Sequence, residues 1–310
     1  MVIKNRTLGY SAIQGFYWMG YASIMGFASV FLLNVGFDNS QVGLLIAAAG
    51  LLSALLQPLA AAYADRPKSM ALKWIIFLLT ALCFGGSLVL MTAGGQKIVA
   101  GLCYGLCMVL LQLTTPLVNA LGIATVNSGE KMNFGVARGF GSLGYGVAAY
   151  LIGVLTDSKG AGAVPLCMGA TLLVLLLVTL DYKKVKRIPE TPKAAAPAQG
   201  GFLHRYPRYC LVLVGLVFLF ISHVVLNSFT YQIVVYKGGD SAQMGKAMAF
   251  ASLLELPIMF LFGRMQKKVR CHVWFRISGL FFLLKTAGTL LCSTMGGFLR
   301  CSRSRWAAGR

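Results

Sequence analysis

The chain has 310 residues, of which 57% are hydrophobic and only 12% charged, with a mean hydropathy of +0.74. That balance excludes a soluble domain of ordinary composition and identifies an integral membrane protein. The net charge of +20 does not make the chain a nucleic-acid binder, because its 28 Lys and Arg lie mainly in short segments between apolar runs and form no continuous basic face.

Taken in order, the apolar runs cover 9–33, 41–63, 71–93, 98–126, 134–156, 163–180, 208–236, 243–263 and 273–295. A hydrocarbon core of roughly 30 Å needs about twenty residues at about 1.5 Å each, so nine membrane-spanning helices are expected. The first run is too long for a signal-peptide core and counts as a span. Eight cysteines, mostly inside these runs, show no metal-ligand spacing, and neither a disulfide framework, a metal nor a cofactor is expected.

With the N-terminus cytoplasmic, the inner segments hold seventeen Lys and Arg and the outer loops only Lys97, Lys159 and Lys237. The positive-inside rule therefore predicts a cytoplasmic N-terminus. The longest connection, 181–208, is rich in Lys, Pro and Ala and reads as a cytoplasmic linker between a six-helix unit (1–180) and a three-helix unit (209–295). After Gly297 the composition turns to Arg300, Arg303, Arg305 and Arg310 on what the helix count makes the outer side. This basic tail, 296–310, breaks the charge rule. It points to a truncated or frame-shifted reading, with three further helices expected beyond it.

An internal repeat underlies this layout. The turn Asp38-Asn39-Ser40-Gln41-Val42-Gly43 recurs as Asp240-Ser241-Ala242-Gln243-Met244-Gly245, and each opens a long apolar run that contains a Ser/Pro pair, Ser53 with Pro58 and Ser252 with Pro257. Both runs end in a basic segment. The offset is 202 residues at the turns and 199 at the prolines, which marks a duplication with one three-residue gap. Parallel repeats in membranes are a feature of transporters whose solute path lies between two related units.

Ser53-Ala54-Leu55-Leu56-Gln57-Pro58-Leu59 followed by Ala64-Asp65-Arg66 resembles the second helix and following loop of the major facilitator superfamily. Within it, the likeness is to the lactose-permease-like oligosaccharide:proton symporters and the related nucleoside:proton symporters. The resemblance implies an all-α membrane bundle and alternating access. It gives Asp65 and Arg66 the role of a gating loop, although Ala61 and Pro67-Lys68-Ser69 depart from the family's loop signature.

The stretch from Asn133 to Tyr145 is similar to the family's solute-binding segment, with an Arg and an aromatic seven residues apart. Two helical turns put Arg138 and Tyr145 on one face. A guanidinium offers a planar fork of donors to vicinal hydroxyls and an aromatic face can stack on a sugar or base. The alternative for Arg138 is an interfacial anchor that snorkels to the surface.

Glu255 is the one acidic residue in the middle of an expected span, where a charge costs roughly 2.5 to 3.5 kcal/mol and usually marks an ion or proton path. The resemblance gives it, with Lys285, a proton-coupling role. His223, Asn227 and Tyr231 form a polar stripe at i, i+4 and i+8, in which His223 either joins that role or is hydrogen-bonded packing and Asn227 is a solute-binding candidate. Gln112, Thr114, Thr115 and Asn119 on the fourth helix, with Tyr17 and Trp18 on the first, complete the polar candidates.

The sequence thus predicts a monomeric, multi-pass plasma-membrane transporter that moves a small polar solute with protons through a lipid bilayer, without nucleic acid or cofactor. The competing readings are a drug exporter of the same fold, a membrane enzyme and an inactive fragment. The enzyme reading lacks a nucleophile and base pair or a phosphate-binding loop.

Overall fold

A computed structural model describes residues 5–66, 68–185, 206–265 and 271–291. The described residues form eleven α-helices and one π-helical segment. In chain order these are α1 (Arg6–Tyr21), the π segment (Ala22–Gly26), α2 (Ala28–Asn34), α3 (Asn39–Asp65), α4 (Leu72–Ala93), α5 (Lys97–Asn127), α6 (Phe134–Lys159) and α7 (Ala163–Asp181). After the connection come α8 (Pro207–Ser228), α9 (Thr230–Tyr236), α10 (Ser241–Met265) and α11 (Cys271–Leu291). Among the described residues six helices, or seven spans if the bent pair of α1 with the π segment and α2 counts as one, are long and apolar enough to cross a membrane, against the nine expected. Most of the expected linker and all of the expected basic tail lie outside the described residues.

Over its described residues every expected run is helical, the last as far as Leu291, but two of them break where a single helix was expected. The first bends by 41° between Gly26 and Ala28, and the seventh breaks between α8 and α9. Phe27 (φ −109, ψ 16) and Phe229 (φ −104, ψ 18) hold the same backbone conformation at the two breaks, outside the regular helical well. They are 202 residues apart, as are the seven-residue helices α2 and α9 that follow them. Each of these short helices ends in a turn with a glycine at positive φ, Gly36 at 96° and Gly238 at 76°, a conformation that side chains with a Cβ rarely adopt.

The duplicated caps follow. Asp38 Oδ1 accepts from Gln41 N at 2.8 Å, and Gln41 Oε1 accepts in return from Asp38 N at 3.2 Å, closing a capping box on α3. On α10, Asp240 Oδ1 accepts from Gln243 N at 2.6 Å. The matched serines both bond back along their own helices, Ser53 Oγ to Ala49 O at 2.6 Å and Ser252 Oγ to Met248 O at 3.0 Å.

The core of the first unit lies between α1, α5, α6 and α7, where Tyr10, Ile13, Tyr17, Tyr104, Leu121 and Met168 are fully buried. By contrast α3 and α8 show large exposed apolar residues, among them Leu44, Leu55, Leu211 and Phe218. A membrane is the solvent that suits such faces. The units meet mainly where α6 runs against α10. Their backbones nearly touch: a Cβ at Gly245 would stand 2.4 Å from Ala149 O, and one at Gly153 would stand 2.8 Å from Ser241 O.

At the end of the bundle that holds Lys183 and Tyr206, charged groups tie the helix ends together. Arg6 Nη2 donates to Glu130 Oε1 at 2.9 Å, Arg6 Nη1 to Lys183 O at 3.0 Å, and its guanidinium lies 5.3 Å over the Tyr182 ring. Lys73 Nζ donates to Leu180 O at 3.1 Å and Tyr182 O at 2.7 Å, so two cations satisfy carbonyls at the C-terminus of α7. The hydrogen bond and charge of Arg6 hold the Glu130 carboxyl below the usual range, and burial pushes the Tyr182 hydroxyl up.

Candidate functional site

The site is built on one face of α6. Asn133 caps that helix, its Oδ1 accepting from Val136 N at 3.1 Å. The backbone N–H of Asn133 donates to Thr7 Oγ1 at 3.1 Å, which fixes the start of α6 against the start of α1. Above this point α1 crosses α6 at glycines. A Cβ at Gly144 would come within 2.4 Å of Gly15 O, and one at Gly141 within 2.5 Å of Trp18 Cδ1 and 3.2 Å of Arg138 Nη1.

Gly141 therefore leaves the space in which Arg138 and Trp18 meet. The Arg138 guanidinium lies 4.7 Å over the Trp18 ring, a cation–π contact. Trp18 Nε1 donates to Gln14 Oε1 at 3.0 Å, and Gln14 Nε2 donates to Tyr10 Oη at 2.6 Å and, more weakly, to Asn119 Oδ1 at 3.4 Å. Tyr10 Oη in turn donates to Val118 O at 3.0 Å. Arg138 and Asn119, expected from different helices, are thus joined through two α1 side chains one turn apart.

Two turns along α6, Tyr145 reaches the first break. Its hydroxyl approaches Met248 Sδ at 3.9 Å, and a Cβ on Gly26 would stand 3.3 Å from it. Between Arg138 and Tyr145, at i+4 from the arginine, Ser142 Oγ donates to Glu255 Oε2 at 3.0 Å. The mid-span carboxyl of α10 is therefore held, half-buried, on the same α6 face as the arginine and the tyrosine.

The remaining candidates lie elsewhere. Asn227 Nδ2 and His223 Nε2 are paired at 2.8 Å, with the Phe282 ring of α11 edge-on to the imidazole at 5.4 Å. Lys285 sits on α11 beside Thr286, whose hydroxyl pairs with that of Ser222 on α8 at 3.0 Å; the lysine side chain lies outside the described residues. Asp65 closes α3 and Arg66 caps it in an extended conformation, both exposed at the linker end. Tyr231 is half-buried on α9.

On α5, Thr114 Oγ1 donates to Leu110 O of its own helix at 2.8 Å, whereas Thr115 pairs with the Tyr17 hydroxyl of α1. Gln57 Nε2 reaches the Gln112 carbonyl at 3.2 Å. Sequence reasoning did not single out Ser142 or Gln14 as site residues. The available signal was helical spacing: Ser142 lies at i+4 from Arg138, and Gln14 at i−4 from Trp18.

The chain matches the model of the MFS_1 like family over residues 10–291. No curated protein matches it by sequence. Among solved structures it is similar to the nucleoside transporter NupG in a point-mutant form, with a TM-score of 0.72, 14% identity, and coverage of 98% of this chain and 80% of that one. The unmutated NupG structure gives 0.70, 14%, 97% and 78% in the same measures. A bacterial homologue of the human lysosomal transporter Spinster, in an inward-facing and unoccupied conformation, gives 0.64, 17%, 97% and 72%. At these identities the likeness is one of fold.

Proposed function

The chain belongs to the MFS_1 like family, and from that membership we propose that it carries a sugar or nucleoside-like solute together with a proton by alternating access. Family membership makes it a multi-pass membrane transporter rather than an enzyme. Arg138 and Tyr145 hold the solute, the arginine through its donor fork and the tyrosine by stacking, while Asn119 and Asn227 add hydrogen-bonding groups. Glu255 carries the proton, and Lys285 and His223 belong to the same coupling path. Asp65 and Arg66 gate the linker end, which the charge distribution supports as cytoplasmic, in the plasma membrane. Residues 1–180 and 209–295 are the two units that rock against each other, in a monomer.

The observation that carries this reading is the 3.0 Å hydrogen bond from Ser142 to Glu255. An ionised carboxylate only accepts, whereas a protonated one can also donate. Protonating Glu255 therefore rewrites the bond between α6 and α10 on the face where Arg138 and Tyr145 stand. Any solute that touches that face binds differently to the two protonation states, and the linkage is reciprocal. NupG's description as a nucleoside transporter supports the solute class.

The test uses the chain in proteoliposomes with no imposed gradient. Adding adenosine or a β-galactoside outside should raise the external pH transiently as protons enter with the solute. Solute uptake with no pH change would contradict coupling.

A further inference from the structure

At the end opposite the linker, a recess of about 640 Å³ opens between α2, α9 and the adjoining ends of α3, α6 and α10. Its polar lining includes Asn34, Asn39, Thr156, Gln232, Ser241 and two tyrosines, and none of its lining residues is charged. The volume is that of a small-molecule site. The short helices that follow the two breaks line it, α2 through Val30, Leu33 and Asn34 and α9 through Tyr231, Gln232, Val235 and Tyr236.

The recess follows the internal duplication. Val30 and Gln232, Leu33 and Val235, Asn34 and Tyr236, and Asn39 and Ser241 all line it, and every one of these pairs is 202 residues apart. Ser29 Oγ donates to Ser228 O at 3.1 Å, joining the two break regions directly. The duplication shows what each position needs for packing alone. At the first copy a valine suffices, and Val30 is 6% exposed. At the second copy stands Gln232, whose Oε1 and Nε2 are both shut from water without a hydrogen-bond partner. Two unpaired polar atoms carry a desolvation penalty that the equivalent valine avoids. A donor and an acceptor side by side in one plane are complementary to a planar edge that offers an acceptor and a donor, the pairing an amide makes with adenine.

We infer that this recess is a vestibular binding site in which Gln232, turned out of its stowed position, pairs with the planar donor–acceptor edge of a nucleobase. Asn39 and Ser241 face the rest of the solute from the two equivalent turns, and Tyr231 offers a ring for stacking. The inference rests on the proposed transport of a nucleoside-like solute and narrows it to solutes with a base edge, bound first at this end and then at the α6 face.

The test measures equilibrium binding of radiolabelled adenosine to the chain in lipid nanodiscs, with methyl β-glucoside as competitor. Arg138→Ala disables the α6 site and leaves binding at the vestibule. Adding Gln232→Val, which copies the first repeat, should weaken that remaining binding by about tenfold or more. Gln232→Asn, which keeps the amide, should restore part of it. Gln232→Val alone should not lower the melting temperature, which separates lost recognition from lost folding. If Arg138→Ala abolishes all adenosine binding, or Gln232→Val leaves the remainder unchanged, the vestibular site is overturned and the proposed function stands. Equal competition by the glucoside overturns the base-edge specificity. If the unaltered chain binds neither compound, the vestibule and the proposed solute class fall together.

Discussion

Gly245 of α10 lies against Ala149 of α6 so closely that a Cβ would stand 2.4 Å from the alanine carbonyl oxygen. A second such approach joins Gly144 to Gly15, and its hypothetical Cβ would also be 2.4 Å from backbone oxygen. Backbone cannot rotate aside as a side chain can, so these glycines hold the two units and the first unit's own helices at their present spacing.

Gly144→Ala should therefore destabilise the protein by about 1–3 kcal/mol, the range for overpacking a filled contact. Gly50→Ala, with nothing within 4 Å of the added carbon, should be neutral or slightly stabilising. Thermal unfolding of the two variants in nanodiscs distinguishes them, and equal melting temperatures would contradict the close α1–α6 crossing.

Trp18 positions Arg138, so its loss should act on solute affinity. Trp18→Leu removes the cation–π contact and leaves Gln14 Oε1 without its indole donor. An exposed-to-desolvated cation–π pair is worth about 0.5–2 kcal/mol, which predicts a loss of affinity of roughly two- to thirtyfold. Trp18→Phe should recover part of it, since a ring remains under the guanidinium. Affinity unchanged in Trp18→Leu would remove the tryptophan from the site.

Acid stability should report on Arg6 and Glu130. Arg6 depresses the folded-state pKa of Glu130. The pair therefore contributes stability that is complete above the ordinary carboxylate range, near about pH 4.3, and is lost as pH falls through the lower folded value. Glu130→Gln should melt below the unaltered chain at neutral pH, and the gap should close under acid. Parallel melting curves across the whole range would show that the pair contributes nothing.

Topology gives a separate check. Reporters inserted near Ala195 should read cytoplasm and reporters near Lys159 the outside, in keeping with seventeen basic residues on one side and three on the other. The reverse pattern at both positions would overturn the orientation.

Much of the fold was legible because membrane helices are signalled by composition: each apolar run became helix within a few residues. The duplication was legible too, since Asp38 and Asp240 are local caps whose chemistry is written in the turn. The breaks at Phe27 and Phe229 were not, because apolar residues continue through them and a bend depends on what the helix packs against. The shared face of Arg138 and Tyr145 followed from helical spacing alone. That Trp18 lies under Arg138, and that Ser142 meets Glu255, depends on how α1 and α10 cross α6. No pattern along a single helix encodes such a crossing.

Glu255 is the residue proposed to carry the proton-linked step. Glu255→Gln keeps the shape of the side chain and an acceptor for Ser142 Oγ but removes the titration. In proteoliposomes with an imposed proton gradient, the variant should still exchange labelled solute across the membrane at equilibrium, but should no longer concentrate it. If Glu255→Gln accumulates solute against its gradient as the unaltered chain does, Glu255 is not the coupling group and the proposed mechanism is contradicted.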